Sequence, residues 1–295
     1  MMKLSVIGAA GFLGIAIRQY SQDNNFNILS FGNRNNLHLQ NEIFAEGDLV
    51  NDFPFEKLLD QEMIFYCAGM GVQSGIGADK KKLYYINTYF PIALTEYLAE
   101  NNYKGTLITF GSYFEIGNNS KGKKFSEKEI IASLFDLPND YCISKRLFSR
   151  YIYDAKPAIK HFHFILPTIY GEHENKNRLI PYLIGGIKNK LPLSFTNGHQ
   201  LRQYLYVKDL IKIIFSIKNQ LPSGIYNMPC NYTLTIKELV TKIANYFNFS
   251  VSETIFNTTD RKDISMRWLQ LDAGIIEALI PGFGFTLIDE VISKY

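Results

Sequence analysis

Gly8-Ala9-Ala10-Gly11-Phe12-Leu13-Gly14 constrains this chain more than any other stretch. It follows a β-rich apolar run, Lys3–Ile7, and opens an amphipathic run, Phe12–Ser21, so it marks a strand-to-helix turn at the start of the chain. Glycines at this spacing permit a tight turn, close approach of the backbone to a pyrophosphate and close helix–strand packing. The helix N-terminus adds unpaired N–H groups and the positive end of a dipole. Glycines mark many plain turns; the position between a strand and a helix is what makes Gly8, Ala10, Gly11, Phe12, Leu13 and Gly14 candidates for holding a dinucleotide.

The rhythm that follows agrees. Short β-rich runs at Asn27–Phe31, Met63–Cys67, Thr106–Phe110 and His161–Leu166 alternate with helical stretches at Leu83–Asn101 and Tyr141–Asp154. This alternation predicts an α/β fold, a doubly wound parallel sheet with helices on both faces. From about Pro167 the elements shorten between prolines, and helices such as Leu179–Lys188 and Ile236–Phe247 stand apart from the strand series. We expect a dinucleotide-binding domain over residues 1–166 with returning segments around 201–228. Residues 167–200 and 229–295 are expected to form a smaller, C-terminal substrate-binding lobe.

Charge and cysteine content exclude other classes. Lys plus Arg number 31 against 28 for Asp plus Glu, a net charge of +3, too weak to argue for nucleic acid. The lysine-rich stretch Lys121–Lys128 is expected to be a solvated loop. Cys67, Cys142 and Cys230 are sparse and lack a Cys-x-x-Cys pair, which suits a reducing compartment. No apolar run is long enough for a membrane span and no leader precedes the first strand, so a cytoplasmic protein is expected.

The end of the second strand should meet the adenosine ribose, where an acidic residue favours NAD and a basic one NADP. Here Ser30-Phe31-Gly32-Asn33-Arg34 carries no carboxylate, so Arg34, with Asn33, is a candidate clamp for a 2′-phosphate, and NADP(H) is favoured over NAD(H). Tyr141-Cys142-Ile143-Ser144-Lys145 sets Tyr and Lys four apart on one helix face. An ammonium beside a phenol favours the phenolate, so Lys145 is expected to lower the pKa of Tyr141 and make it a proton donor or acceptor near neutrality. Ser112, at the carboxyl end of the fourth strand run, sits where such sheets bind ligands and could hydrogen-bond a substrate oxygen.

With these residues in place, the chain resembles the extended short-chain dehydrogenases/reductases, which include nucleotide-sugar epimerases, dehydratases and reductases. The resemblance runs nearly the whole length. It takes in Gly8–Gly14, Gly47-Asp48-Leu49, Cys67-Ala68-Gly69, Asn87, Ser112, Tyr141 with Lys145, Leu166-Pro167-Thr168-Ile169-Tyr170-Gly171, Leu179-Ile180-Pro181, Arg202–Asp209 and Gly224-Ile225-Tyr226-Asn227. It implies that Asp48 and Leu49 lie against adenine, and that Cys67, Ala68, Gly69, Asn87 and Pro167 also border the cofactor. Ser112 would orient a sugar carbonyl, Tyr141 transfer the proton, and Lys145 tune Tyr141 and hold the nicotinamide ribose. Arg202, with Arg261 or Arg267, would face the substrate diphosphate, for which a guanidinium fork is suited. The stretches Ser112-Tyr113-Phe114 and Tyr170–Pro181 resemble the 4-ketoreductases that make deoxysugars, which adds Tyr113, Phe114 and Arg178 as substrate contacts.

Three positions depart from the family pattern: Gly111 replaces a serine, Cys67-Ala68-Gly69 replaces His-x-Ala, and Leu166 replaces an arginine. The implied reaction is NADPH-dependent reduction of a nucleotide-linked 4-keto-6-deoxyhexose, and the implied partner is that nucleotide sugar. An epimerase of the same fold and a non-catalytic NADP sensor are the alternatives. A homodimer through Leu83–Asn101 and Tyr141–Asp154 is implied by resemblance alone. His161 and His163 have no Cys or carboxylate partner at ligand spacing, so they are expected at a strand edge and no metal is expected. Cys142 is expected to pack, and His173 to sit in a loop.

Overall fold

The computed structural model describes residues 1–50, 52–71, 79–259 and 266–295. Strand β1 (Lys3–Ile7) runs into helix α1 (Phe12–Asp23), then β2 (Asn27–Gly32), β3 (Glu42–Glu46) and β4 (Met63–Tyr66). Helix α2 (Lys80–Tyr84) passes through a π-turn (Tyr85–Tyr89) into α3 (Phe90–Glu100), followed by β5 (Thr106–Ser112), α4 (Glu127–Ile131), α5 (Asp140–Ala155) and β6 (Lys160–Leu166). Then come β7 (Thr168–Tyr170), α6 (Leu179–Asn189), β8 (Leu201–Tyr206), α7 (Val207–Ile217), β9 (Gly224–Asn227) and β10 (Tyr232–Thr235). Helices α8 (Ile236–Tyr246), α9 (Gly274–Leu279) and α10 (Ile288–Ile292) complete the described elements.

The main sheet has the order β3-β2-β1-β4-β5-β6-β9, and every pairing in it is parallel. The expected doubly wound sheet is therefore present, with β3 and β9 added at its edges. Strands β4 and β5 are buried along their whole length, as expected for parallel strands covered on both faces. A second sheet, β10-β8-β7, pairs β8 antiparallel to β10 and parallel to β7. Leu201–Tyr206 thus belongs to the small sheet, whereas Gly224–Asn227 closes the large one.

The predicted single helix over Leu83–Asn101 is interrupted by the π-turn. Pro91 lacks an N–H for the carbonyl of Asn87, which relaxes the local ladder, and the turn points Asn87 and Thr88 inward against α5. Thr88 Oγ1 donates to the carbonyl of Ser144 at 2.8 Å, and Asn87 Nδ2 donates to Ser144 Oγ at 2.9 Å. Arg18 on α1 is fully buried and ion-paired with Glu42 of β3, Nε to Oε1 at 2.6 Å and Nη2 to Oε2 at 2.7 Å. Its remaining donors reach Ala9 O, Leu37 O and the side-chain oxygens of Asn35 and Asn36, so one guanidinium ties the edge strand and the β2–β3 loop to the glycine turn. Among the described residues no helix is long and apolar enough to cross a membrane.

Candidate active site

The glycine turn is built by close approach. Gly8 has φ +88°, and a Cβ there would stand 2.4 Å from the backbone nitrogen of Ala68; a Cβ on Gly14 would stand 2.4 Å from the Gly8 carbonyl oxygen. Both positions therefore require glycine, the first for conformation and the second for helix–strand packing. The N–H groups of Gly8 and Ala9 share the carbonyl of Phe31, and Gly11 begins α1 with no side-chain cap. The cradle fits an anion at the helix N-terminus, with Ala10 and Phe12 partly open beside it and Leu13 packed beneath.

Around this turn, Asn33 and Arg34 are exposed at the carboxyl end of β2. Asp48 is exposed and salt-bridged to Lys82 at 2.9 Å, and the Lys82 hydrogen bond holds its carboxyl below the ordinary range. Leu49 packs against the apolar layer under α3. Cys67, Ala68 and Gly69 form the segment leaving β4, and Cys67 N–H bonds the carbonyl of Ile7. Asn87 is 1% exposed and spends its amide on that segment, accepting from Met70 N at 2.9 Å and donating to Met70 O at 2.8 Å. Its observed contacts hold the loop rather than reach outward.

Ser112 is the last residue of β5, two residues beyond the expected strand end, and caps the 3₁₀ turn Tyr113–Ile116. Asn139 caps α5 by accepting from Cys142 N at 3.0 Å, which puts Tyr141 in the first turn of that helix. The structure brings the two together: the Ser112 side chain lies close enough to the Tyr141 phenol to act downward on its pKa. Lys145, one turn further along α5, donates to the carbonyl of Phe110 at 2.9 Å.

The electrostatics differ from the expectation. Burial pushes the Tyr141 phenol well up from its ordinary value, while Ser112 and the nearby Arg178 act downward. Burial also pulls Lys145 down, opposed by the Glu115 carboxylate. Desolvation outweighs the charge pairing that four-residue spacing suggested.

A cavity of about 610 Å³ opens beside Tyr141. Phe114, Thr168, Arg178, Arg202 and Tyr204 are among its lining. Arg178 lies 5.8 Å over the ring of Phe12 and is ion-paired to Glu174 at 3.1 Å; Glu174 in turn accepts from the Tyr295 hydroxyl at 2.7 Å. Arg202 is nearly fully buried, donates to Leu201 O and to Met266 O at 2.8 Å, and stands 6.0 Å over the Phe114 ring. Tyr113 is fully enclosed and its hydroxyl bonds Thr168 Oγ1 at 2.5 Å, so Tyr113 supports the wall while Phe114 faces the cavity. Arg267 is exposed on the segment bonded to Asn119, Pro167 is buried, and Arg261 lies outside the described residues.

Glu174 and Glu115 were not singled out from sequence. Glu174 and Arg178 are an i,i+4 acid–base pair, a legible signal within the quoted loop. Glu115 follows Ser112 in the Ser-x-x-Glu pattern of a capping box, also legible. His161 and His163, expected at a strand edge, are instead 2% and 0% exposed, because β6 is an interior strand between β5 and β9. Cys142 is buried and borders the cavity, His173 is exposed, and Lys121, Lys123 and Lys124 are solvated.

Comparison with known proteins adds three findings. The sequence model of the NAD dependent epimerase/dehydratase family matches residues 4–228. A CDP-abequose synthase from Yersinia pseudotuberculosis is 24% identical over 248 residues, spanning 80% of this chain and 78% of that protein. In fold, the chain is similar to a UDP-N-acetylglucosamine 4-epimerase from Methanobrevibacter ruminantium (TM-score 0.83, 19% identity, 99% of this chain and 96% of that one). It is also similar to a dTDP-glucose 4,6-dehydratase from Bacillus anthracis in complex with NAD (TM-score 0.79, 18% identity, 100% and 96%).

Proposed function

The chain belongs to the NAD dependent epimerase/dehydratase family, and from that premise we propose that it catalyses NADPH-dependent reduction of a nucleoside-diphosphate-linked 4-keto-6-deoxyhexose to a deoxysugar nucleotide. The observation that carries this reading is the place of Tyr141, on the border of a cavity that Arg178 and Arg202 also line and beside Ser112. A hydroxyl pair can orient and protonate a carbonyl oxygen, and guanidinium groups nearby suit a diphosphate. The CDP-abequose synthase relative supports a nucleotide-linked sugar as substrate.

In this reading the turn Gly8–Gly14 holds the cofactor pyrophosphate, and Arg34, with no acidic residue at positions 32–34, favours NADP(H) over NAD(H). When bound, reduced nicotinamide supplies a hydride for the carbonyl carbon. Ser112 orients the carbonyl oxygen, and Tyr141 delivers its proton there. A phenol held up by burial keeps that proton until the oxygen gains charge, so it acts as an acid rather than as a resident phenolate. Lys145 holds the end of β5 and presents a positive charge one helical turn from Tyr141. Arg202 and Arg178 hold the nucleotide diphosphate end.

The test is incubation of purified protein with a panel of nucleotide-linked 4-ketosugars and NADPH. The expected result is one NADPH consumed per product. Many turnovers on substoichiometric cofactor, with no net change at the nicotinamide absorbance band, would replace the reductase by an epimerase.

A further inference from the structure

Five polar side chains cross the otherwise apolar space between β5, β6 and α5. His161 Nε2 lies 2.8 Å from Thr109 Oγ1, which lies 2.7 Å from His163 Nδ1; His163 Nε2 lies 2.8 Å from Ser149 Oγ. Beyond Ser149 lies Glu115, whose Oε2 is buried without a hydrogen-bond partner; burial raises its carboxyl pKa, and the nearby Ser149 hydroxyl acts against that rise. All five residues are at most 2% exposed.

Each hydroxyl has one proton and each neutral imidazole one N–H, so the file runs in one of two senses. In one, His161 donates to Thr109, Thr109 to His163 and His163 to Ser149, which leaves the Ser149 proton free to turn toward the Glu115 carboxylate. Every donor then points toward the anion. Nδ1 of His161 is buried without a partner in either sense; in this one it is a bare lone pair, whereas the other would bury an unpaired N–H, the rarer case. Burial lowers the pKa of both histidines, which keeps them neutral as the file requires.

The far end of the file meets the proposed catalytic group. Glu115 Oε1 accepts from the Ser112 N–H at 2.7 Å, and Lys145 Nζ donates to the Phe110 carbonyl at 2.9 Å. An ammonium and a carboxylate thus grip the peptide groups on either side of Gly111. The family-pattern serine would not fit at that residue, since a Cβ would stand 2.6 Å from Ile165 Cδ1, 2.7 Å from Glu115 Oε1 and 2.8 Å from His163 Nε2. The glycine and the buried file are one device. A capping acid on a surface turn would need neither burial nor the four side chains behind it.

We infer that Glu115 is a positioning residue for the proposed reduction: the file from His161 holds it as a buried anion that fixes the backbone of Ser112 and supplies the counter-charge of Lys145. The inference rests on the reading of Ser112, Tyr141 and Lys145 as the reacting group. The charged and titratable groups that face Glu115 are Lys145 and Arg146 from α5, His163 from β6 through Ser149, and Tyr141. Lys145 also faces Cys67, whose thiol burial pushes up.

Glu115→Gln preserves shape and the acceptor for Ser112 N–H but discards the charge. Without that charge Lys145 loses its proton at lower pH, so the alkaline limb of kcat should move down by about one pH unit, an ordinary shift for a lost charge partner. KM for the nucleotide sugar should stay within about twofold, and activity should recover on acidification. Ser149→Ala, a milder change, removes the hydroxyl that acts against burial on this carboxyl. By infrared difference spectroscopy the carboxyl band that Glu115→Gln abolishes should titrate at higher pH in Ser149→Ala than in the unmodified protein. Superimposable pH profiles for the unmodified protein and Glu115→Gln, or a carboxyl midpoint indifferent to Ser149→Ala, would overturn the inference. The infrared measurement needs no substrate: a protein inert toward every ketosugar but showing the coupled carboxyl would refute the reductase reading alone.

Discussion

The imidazole Nε2 of His163 stands 2.8 Å from the place a Cβ on Gly111 would occupy. Ile165, Glu115 and His163 around it are fully buried, and Glu115 and His163 are held by hydrogen bonds, so they have little room to yield. Gly111→Ser should therefore destabilise the protein by about 1–3 kcal/mol, the usual cost of overpacking a filled core. Urea unfolding would measure it; an unchanged midpoint would mean that the end of β5 shifts freely.

Both file histidines have lowered pKa values, His161 to about 3. A group whose folded pKa is depressed binds protons preferentially when unfolded, so its contribution is present above the unfolded value near 6.5 and fades as pH falls below it. Stability should drop by on the order of 2 kcal/mol between about pH 6.5 and 5. Glu115 and Glu174, whose pKa values are raised by burial, offset part of this toward the acid end. Thermal melts across that range, repeated with His161→Gln, would show the loss and its partial relief.

Tyr141→Phe removes a proton and little surface. Turnover should fall about 10²–10⁴-fold, the usual contribution of general acid catalysis, while NADPH affinity stays nearly unchanged. Single-turnover kinetics and a fluorescence titration check the two halves separately. Retention of most of kcat would dismiss Tyr141 as the proton donor.

Arg34 is exposed at the carboxyl end of β2. If it reads a 2′-phosphate, Arg34→Ala should weaken NADPH by about 1.5–3 kcal/mol, the range for hydrogen bonds to charged groups, and leave NADH nearly untouched. Equal losses for both cofactors would remove that role.

What the sequence disclosed is what local chemistry dictates. Glycines 8 and 14 announce a turn because no other residue tolerates their contacts, and the β-rich runs of β1, β4 and β5 announce a covered parallel sheet. The edge strand Glu42–Glu46 was not anticipated because it is held by its ladder to β2 and by Arg18, a partner 24 residues away, rather than marked by an apolar pattern of its own. The two histidines were misplaced because period-two spacing cannot say whether both faces of a strand are covered. The downward pull on Tyr141 was expected from spacing along one helix, whereas the observed shift depends on tertiary burial, which spacing does not encode. Ser112, Tyr141 and Lys145 could be named in advance; Glu115 could be named only as a cap, since its burial depends on a glycine and on two neighbouring elements.

The π-turn at Tyr85–Tyr89 carries a consequence for how the two helices around it are phased. An extra residue in one turn of helix advances everything beyond it by about 100°, the angle per residue of an α-helix. The segment Lys80–Tyr84 can therefore aim Lys82 at Asp48 and the Tyr84 hydroxyl at Asp140, while Phe90, Leu94 and Leu98 still line up with the core. Deleting a single residue here would bring the two stretches into one register and force a choice between those sets of contacts. A one-residue insertion of this kind lets a helix answer to the sheet along one part of its length and to Asp48 and Asp140 along the other.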